Sequence, residues 1–131
     1  MQAVVDTNVI VSAIFFKGTP RVILQKIFEG KLELICSQKI IEEYIRVIEH
    51  FGKKSGKEIG KLTANFIIEN ATIIKVTAKG KYSRDPDDDK FINCAKTANV
   101  KYLVSGDKDL LVLKKIKDTE IVTPKEFIEK I

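Results

Sequence analysis

The sequence predicts an α/β fold, a three-layer α/β/α domain with a central parallel sheet of about five strands. Short apolar runs alternate with longer segments whose apolar residues recur at the spacing of a helix. The runs are nearly continuous, which is typical of parallel strands that are covered on both faces. Residues 1–131 are predicted to form a single domain, because they contain no repeat, low-complexity tract or Gly/Ser/Pro linker.

Five short segments are predicted to be strands, because each is apolar or β-branched and stops at a polar or turn-forming residue. They cover residues 2–5, 33–36, 72–76, 102–104 and 120–122. In a parallel sheet, functional side chains collect just beyond the carboxyl ends of the strands. Candidate functional residues are therefore expected at that edge.

The segments between these strands carry helix signals. Thr19 and Ser37 are predicted N-caps, and Pro20 suits the first helical position, where no N–H donor is needed. Asp85-Pro86 and Thr123-Pro124 repeat this pattern further along the chain. The predicted helices cover 7–16, 20–29, a segment after Ser37 that ends at a loop over 52–57, 59–70, and segments that follow Asp85 and Thr123.

The charge distribution favours a polyanionic partner. The net charge is +5, and lysine outnumbers arginine by 20 to 3. Basic residues are concentrated at 53–61, 75–84 and 114–117, whereas acids crowd at 85–89 and 107–109. Because clustered lysines bind phosphates through charge attraction and counterion release, we expect a nucleic-acid partner.

Other features narrow the class of protein. No apolar run reaches the length of a membrane span, and the N-terminus lacks the pattern of a signal peptide, so we expect a cytoplasmic protein without a membrane partner. Cys36 and Cys94 lie among apolar residues and are predicted to be buried free thiols. His50, the single histidine, is predicted at the surface near a helix end, which argues against a zinc site or a Ser/His triad.

Two aspartates are predicted to meet at the carboxyl edge of the sheet. Asp6 directly follows the first predicted strand, and Asp107 follows the fourth after Ser105-Gly106. Both residues also have a structural interpretation, since aspartate is a good N-cap for the helix that follows each of them. The position alone leaves these two interpretations open.

Two further acids lie on predicted helices. Glu43 borders the apolar face of the helix that follows Ser37. Asp88 lies four residues before Ile92 and shares the inward side of its helix, whereas Asp87 and Asp89 are predicted to face solvent. Acids in a first helical turn also favour the helix dipole, so the aspartate run has a structural interpretation too.

Four carboxylates at one edge would repel each other by about 4 kcal/mol per close pair at an effective dielectric of ~20. A divalent cation among them would remove this repulsion. A site made only of oxygen ligands, without histidine or cysteine, suits Mg²⁺ or Mn²⁺. Such an ion can activate water and stabilise charge on a phosphate, so the pattern predicts metal-dependent phosphodiester hydrolysis.

At these residues the sequence resembles the PIN-domain nucleases, and among them the VapC-like toxins of toxin–antitoxin pairs. The resemblance covers nearly the whole chain, and its specificity lies in the order and spacing of four motifs. These are Val4–Val9, Ser37–Tyr44, Arg84–Ile92 and Tyr102–Leu111.

The resemblance implies a set of site residues for this chain. The acids fall on Asp6, Glu43, Asp88 and Asp107 as catalytic residues and metal ligands, with Asp109 as an additional or substitute member and with Asn8 and Ser105 as supporting polar residues. Asp85 and Asp89 remain rivals to Asp88 for the third acid.

The resemblance also implies an activity and partners. These are metal-dependent cleavage of RNA with Mg²⁺ or Mn²⁺, a homodimer, and an antitoxin protein that blocks the site. The alternative from another class is a non-catalytic nucleic-acid- or protein-binding module that retains the fold. RNA cleavage that depends on a divalent metal would distinguish the enzyme from the module.

Overall fold

The computed structural model of the protein describes residues 1–56 and 59–131, except for the side chain of residue 59. Within these residues six strands form one sheet, in the order β3-β2-β1-β4-β6-β5. The strands are β1 (Gln2–Val5), β2 (Glu33–Cys36), β3 (Thr72–Ile73), β4 (Tyr102–Val104), β5 (Lys115–Ile116) and β6 (Thr119–Val122).

Helices connect the strands and cover the sheet. They are α1 (Thr7–Phe15), α2 (Thr19–Phe28), α3 (Gln38–Ser55), α4 (Ile59–Asn70), α5 (Asp89–Ala98), α6 (Lys108–Leu111) and α7 (Pro124–Lys130). A short 3₁₀ helix over Pro86–Asp88 leads directly into α5.

The sheet confirms the predicted α/β class with a parallel centre flanked by helices. β1 pairs in parallel with β2 and β4, and β4 pairs in parallel with β6. The prediction of five strands missed β5, a two-residue antiparallel strand at the edge of the sheet. Its sequence, Lys115-Ile116, lies in a lysine-rich turn and offers no apolar run from which a strand can be predicted.

Three local predictions were wrong. Gly18, not Thr19, is the N-cap of α2, because its φ of 137° allows the sharp entry that a side chain disfavours. α3 continues to Ser55, so the predicted loop over 52–57 is helical up to that residue, and Lys57 lies outside the described residues. β3 ends at Ile73 instead of Val76, and the chain beyond it stays irregular up to the 3₁₀ helix.

Other predicted caps were confirmed. The hydroxyl of Ser37 accepts a hydrogen bond from the backbone N–H of Ile40 at 3.2 Å. Thr123 and Glu126 form a reciprocal capping box at the start of α7. These bonds satisfy backbone donors that a helix start otherwise leaves unpaired, at a typical gain of about 1 kcal/mol each.

One cluster of buried apolar side chains joins the sheet to the helices on its faces. Phe91 of α5 and Phe127 of α7 are among the largest fully buried side chains, and Tyr44 of α3 donates its buried hydroxyl proton to the carbonyl of Val5. Because Val5 is the last residue of β1, this bond ties α3 to the strand end that precedes Asp6.

Cys36 and Cys94 are buried and free, as predicted. Burial raises the pKa of both thiols to about 12. No helix in the described part of the chain is both long and apolar enough to cross a bilayer.

Candidate metal centre at the carboxyl edge of the sheet

Asp6 and Asp107 lie at the carboxyl ends of the neighbouring strands β1 and β4, and Ser105 links them. The hydroxyl of Ser105 donates to Oδ2 of Asp6 at 2.7 Å and accepts from the backbone N–H of Asp107 at 2.9 Å. Ser105 is fully buried, directly after β4. A single side chain thus fixes the first acid relative to the loop that carries the second.

Asp88 brings a third carboxylate to the same place from the start of α5. Oxygen atoms of Asp88, Asp107 and Asp109 lie within 4.8 Å of one another. Asp88 is only 8% exposed, and its Oδ2 has no hydrogen-bond partner among the described residues. An unpartnered buried carboxylate oxygen is costly in a folded protein, which makes this position a candidate ligand site.

The electrostatics of the cluster follow from burial and from like charges. Burial raises the pKa of Asp88 to about 7, and the neighbouring carboxylates of Asp107, Asp6 and Asp85 push in the same direction. Burial also raises the pKa of Asp6, although the hydrogen bond from Ser105 opposes this. Burial and neighbouring like charges therefore disfavour the ionised forms of Asp88 and Asp6.

Glu43 lies beside the cluster in a different environment. Its Oε2 accepts a hydrogen bond from the Thr7 hydroxyl at 2.6 Å, and its Oε1 lies 3.3 Å from the Lys90 ammonium. The side chains of Glu43 and Lys90 are only 14% and 13% exposed. Lys90 also donates to the backbone carbonyl of Asp87 at 2.7 Å, which holds the ammonium in place.

Lys90 and Thr7 were not predicted to belong to the site. A signal for Lys90 exists in the sequence, since it is the one basic residue directly after the aspartate run and directly before the apolar Phe91. Thr7 gives no comparable signal, because its contact with Glu43 joins residues 36 positions apart.

The predicted site residues meet at one edge, with two differences from the prediction. The negative charges of Asp107 and Glu43 both raise the pKa of Asp6. The side chain of Asn8 is exposed, and only its backbone N–H acts on Asp6, lowering its pKa. Asp109, predicted as an additional member, belongs to the group of three close carboxylates, whereas Asp6 and Glu43, predicted as metal ligands, do not.

The rivals of Asp88 are placed elsewhere. Asp85 is exposed and accepts a hydrogen bond from the backbone N–H of Asp87. The prediction that Asp89 faces solvent was wrong, because Asp89 is 8% exposed and its Oδ1 accepts backbone hydrogen bonds from Tyr82 at 3.0 Å and Ser83 at 2.8 Å. Helical periodicity cannot anticipate this, since the burial comes from a neighbouring loop.

The residues present fit a hard divalent cation. Within residues 1–56 and 59–131, the Asp88, Asp107 and Asp109 group offers oxygen ligands only, close enough together to share one ion. The unpartnered Oδ2 of Asp88 is a free ligand atom in that group. Mg²⁺ and Mn²⁺ prefer such ligands, whereas zinc prefers the histidine and cysteine that are absent from this group.

The structure defines a parallel α/β protein with carboxylates gathered beyond the carboxyl ends of its strands, the edge at which proteins of this class bind their ligands. Comparison of the sequence with models of protein families identifies the family. Residues 2–109 match the family model described as "PIN domain", and the chain belongs to this family.

Two solved structures have a similar fold. PAE2754 from Pyrobaculum aerophilum is similar with a TM-score of 0.65 and 13% identity, over 99% of this chain and 88% of that chain. A chain of VapBC2 from Rickettsia felis, solved bound to a DNA fragment from the promoter, is similar with a TM-score of 0.61 and 18% identity, over 94% of this chain and 98% of that chain. A search of curated proteins finds no significant match.

Proposed function

We propose that the protein is a divalent-metal-dependent endoribonuclease and the toxin of a toxin–antitoxin pair. One observation carries the proposal, namely the cluster of Asp88, Asp107 and Asp109 beside Asp6, with an unpartnered buried oxygen on Asp88. A site that gathers carboxylates and leaves one without a partner is suited to a cation that completes it. The PIN-domain family supports hydrolysis of a nucleic-acid phosphodiester as the use of that cation.

The proposed metal ligands are Asp88 and Asp107, with Asp109 as a further ligand and Asp6 and Glu43 completing the acidic edge. A bound Mg²⁺ or Mn²⁺ supplies an activated water and stabilises charge on the phosphate. The residues of this chain provide orientation, because Ser105 fixes the Asp6 carboxylate and Thr7 with Lys90 fixes the Glu43 carboxylate.

The partners are part of the proposal. The name VapBC2 of one structural relative denotes a complex of that protein, and by analogy we propose an antitoxin for this chain. An exposed apolar patch supports a protein partner, since Phe28 and Phe66 pack edge to face at 4.5 Å and remain 44% and 42% exposed beside Leu62 at 74%. We further propose a homodimer that acts on RNA in the cytoplasm.

Cleavage of RNA by the purified protein tests the proposal. We expect cleavage in Mg²⁺ or Mn²⁺, none in EDTA, and none from Asp6→Asn. Asp118→Asn is the matched control, because Asp118 is an exposed aspartate in the turn between β5 and β6 and should leave cleavage unchanged. Cleavage in EDTA, or a fully active Asp6→Asn, would contradict the mechanism, and RNA binding without cleavage would favour the non-catalytic module.

A further inference from the structure

The segment over residues 74–84, which we term the basic strap, follows β3 without regular secondary structure. Its side chains alternate as in an extended strand. Ile74, Val76 and Tyr82 pack against the core, whereas Lys75 and Lys79 project outward and are exposed. Lys81 and Arg84 are exposed as well, so the strap presents a row of basic side chains.

The outer face of α5 holds the strap in this shape. The hydroxyl of Thr97 accepts from the backbone N–H groups of Thr77 at 3.2 Å and Ala78 at 3.1 Å. The Asn93 amide pairs with Gly80 in both directions, accepting from its N–H at 2.9 Å and donating to its carbonyl at 3.0 Å. These side chains thus supply hydrogen-bond partners for backbone groups that would pair with a neighbouring strand in a sheet.

Two more contacts fasten the end of the strap that is nearest to the acidic site. Asp89 accepts the backbone N–H groups of Tyr82 and Ser83. The Lys96 ammonium lies over the Tyr82 ring at 4.7 Å and contacts its hydroxyl. Asp89, Asn93 and Thr97 recur every four residues and so share one face of α5.

The basic side chains of the strap repel one another, and a bound anion would offset this repulsion. Among the salt bridges of the described residues, none involves Lys75, Lys79 or Lys81. These lysines therefore remain available to a partner, and their backbone is already ordered, so binding costs less conformational entropy than binding by a flexible loop. The strap ends at Arg84, which is followed by the 3₁₀ helix that carries Asp88.

We propose that the basic strap binds the sugar-phosphate backbone of single-stranded RNA and leads it to the acidic edge, an inference that rests on the proposed ribonuclease function. Outward side chains on an extended segment repeat about every 6.6 Å, so Lys79 and Lys81 suit neighbouring phosphates of one extended strand, and Lys75 lies two repeats, about 13 Å, before Lys79. A single row of charges contacts one backbone, whereas a duplex presents two. α5 then has two roles, since its first turn adjoins Asp88 and its outer face positions the substrate.

Binding of a fluorescent single-stranded RNA oligonucleotide in EDTA tests the strap without cleavage. The variant is Lys75→Gln/Lys79→Gln/Lys81→Gln. The matched control is Lys114→Gln/Lys115→Gln/Lys117→Gln, which removes the same charge from exposed lysines around β5, at the opposite edge of the sheet. We expect the strap variant to bind at least about tenfold more weakly, with the slope of log K against log salt reduced by about 2, and the control to bind within about twofold of wild type.

Equal weakening in both variants would show that only net charge matters and would overturn the proposal. Unchanged binding by the strap variant, or duplex RNA bound as tightly as single-stranded RNA, would overturn it as well. Hydrolysis of a small phosphodiester, bis(p-nitrophenyl) phosphate, with Mn²⁺ separates this failure from failure of the proposed function. We expect the strap variant to retain wild-type hydrolysis of that substrate, because it is too short to reach the strap.

Asn93→Leu tests the positioning of the strap with all its lysines present. We expect faster amide hydrogen exchange at Gly80 and RNA binding weakened about threefold or more, with the thermal unfolding temperature measured to show that the variant folds. Asn65→Leu, at an exposed asparagine of α4, is the control. Faster exchange at Gly80 with wild-type affinity would overturn the claim that a fixed strap is needed.

Discussion

Two carboxylates at the same edge of the sheet have opposite electrostatic environments. Glu43 has a hydroxyl donor in Thr7 and an ammonium in Lys90, both supplied by the chain. Asp88 has an oxygen without any partner and faces the carboxylate of Asp107, and its pKa is raised to about 7. Among the described residues, Glu43 thus has an ionic partner and Asp88 has none, which supports the proposed cation site at Asp88.

Glu43 should respond to substitution differently from Asp88 and Asp107. Glu43 is already neutralised, and its removal should lower stability, because the mostly buried Lys90 would keep only the exposed carboxylate of Asp87, 3.1 Å away, as an ionic partner. Asp88 and Asp107 repel each other, so replacing either should relieve the fold and remove a cation ligand. Replacing Glu43 should therefore lower the stability of the fold. Replacing Asp88 or Asp107 should raise the stability and weaken cation binding.

Asp107→Asn should have the largest effect. Asparagine keeps the hydrogen bond to the backbone N–H of Asp109, because its side-chain oxygen can still cap α6. The charge that holds the cation is lost, and we expect RNA cleavage to fall by roughly a thousandfold, or about 4 kcal/mol. Initial rates measured at saturating Mn²⁺ check this, and a loss of less than about tenfold would exclude Asp107 as a metal ligand.

Lys90→Met should have the next largest effect, on stability. Removing the Lys90 ammonium from a mostly buried ion pair leaves Glu43 with only the exposed guanidinium of Arg46, 3.9 Å away, as an ionic partner, at an expected loss of about 3 kcal/mol in the free energy of unfolding. Methionine retains most of the apolar stem, so packing changes little. Urea denaturation measures the loss, and Glu43→Gln in the same chain should recover part of it. No recovery in the double variant would show that Lys90 acts through packing alone.

Asp88→Asn should stabilise the metal-free protein by on the order of 2 kcal/mol at pH 8. The folded protein binds the Asp88 proton more tightly than the unfolded chain, because burial raises its pKa from 3.8 to about 7. This contribution to stability is complete below pH ~4 and is lost as pH rises through about 7. Urea denaturation in EDTA from pH 4 to 8 should show a shallower decline for the variant than for wild type, and parallel curves would contradict the raised pKa.

Ser105→Ala should have the smallest effect. It removes one hydrogen bond to Asp6 and one from Asp107, which corresponds to roughly 1 kcal/mol and a five- to tenfold loss of activity. Ser105→Thr keeps the hydroxyl and should restore most of the rate. If both variants lose activity equally, crowding at this buried position explains the loss and the hydroxyl does not.

The order of most strands and helices is predictable, because every strand except β5 contains an apolar run and helices such as α3 and α7 begin at a local side-chain cap. The meeting of Asp6 with Asp107 is predictable for a similar reason, since parallel strands end at a common edge. The burial of Asp89 and the shape of the strap are not predictable, because they come from side chains of α5 that bind a segment without secondary structure of its own. The same holds for Glu43, whose partners Thr7 and Lys90 are distant in sequence.

Calorimetric titration of Mn²⁺ into the metal-free protein tests the central claim most directly, because it does not depend on any RNA. We predict saturable binding by wild type, binding at least a hundredfold weaker by Asp88→Asn and Asp107→Asn, and wild-type binding by Asp118→Asn. Absence of saturable binding by wild type, or equal binding by all four proteins, would contradict a cation site at the carboxyl edge of the sheet.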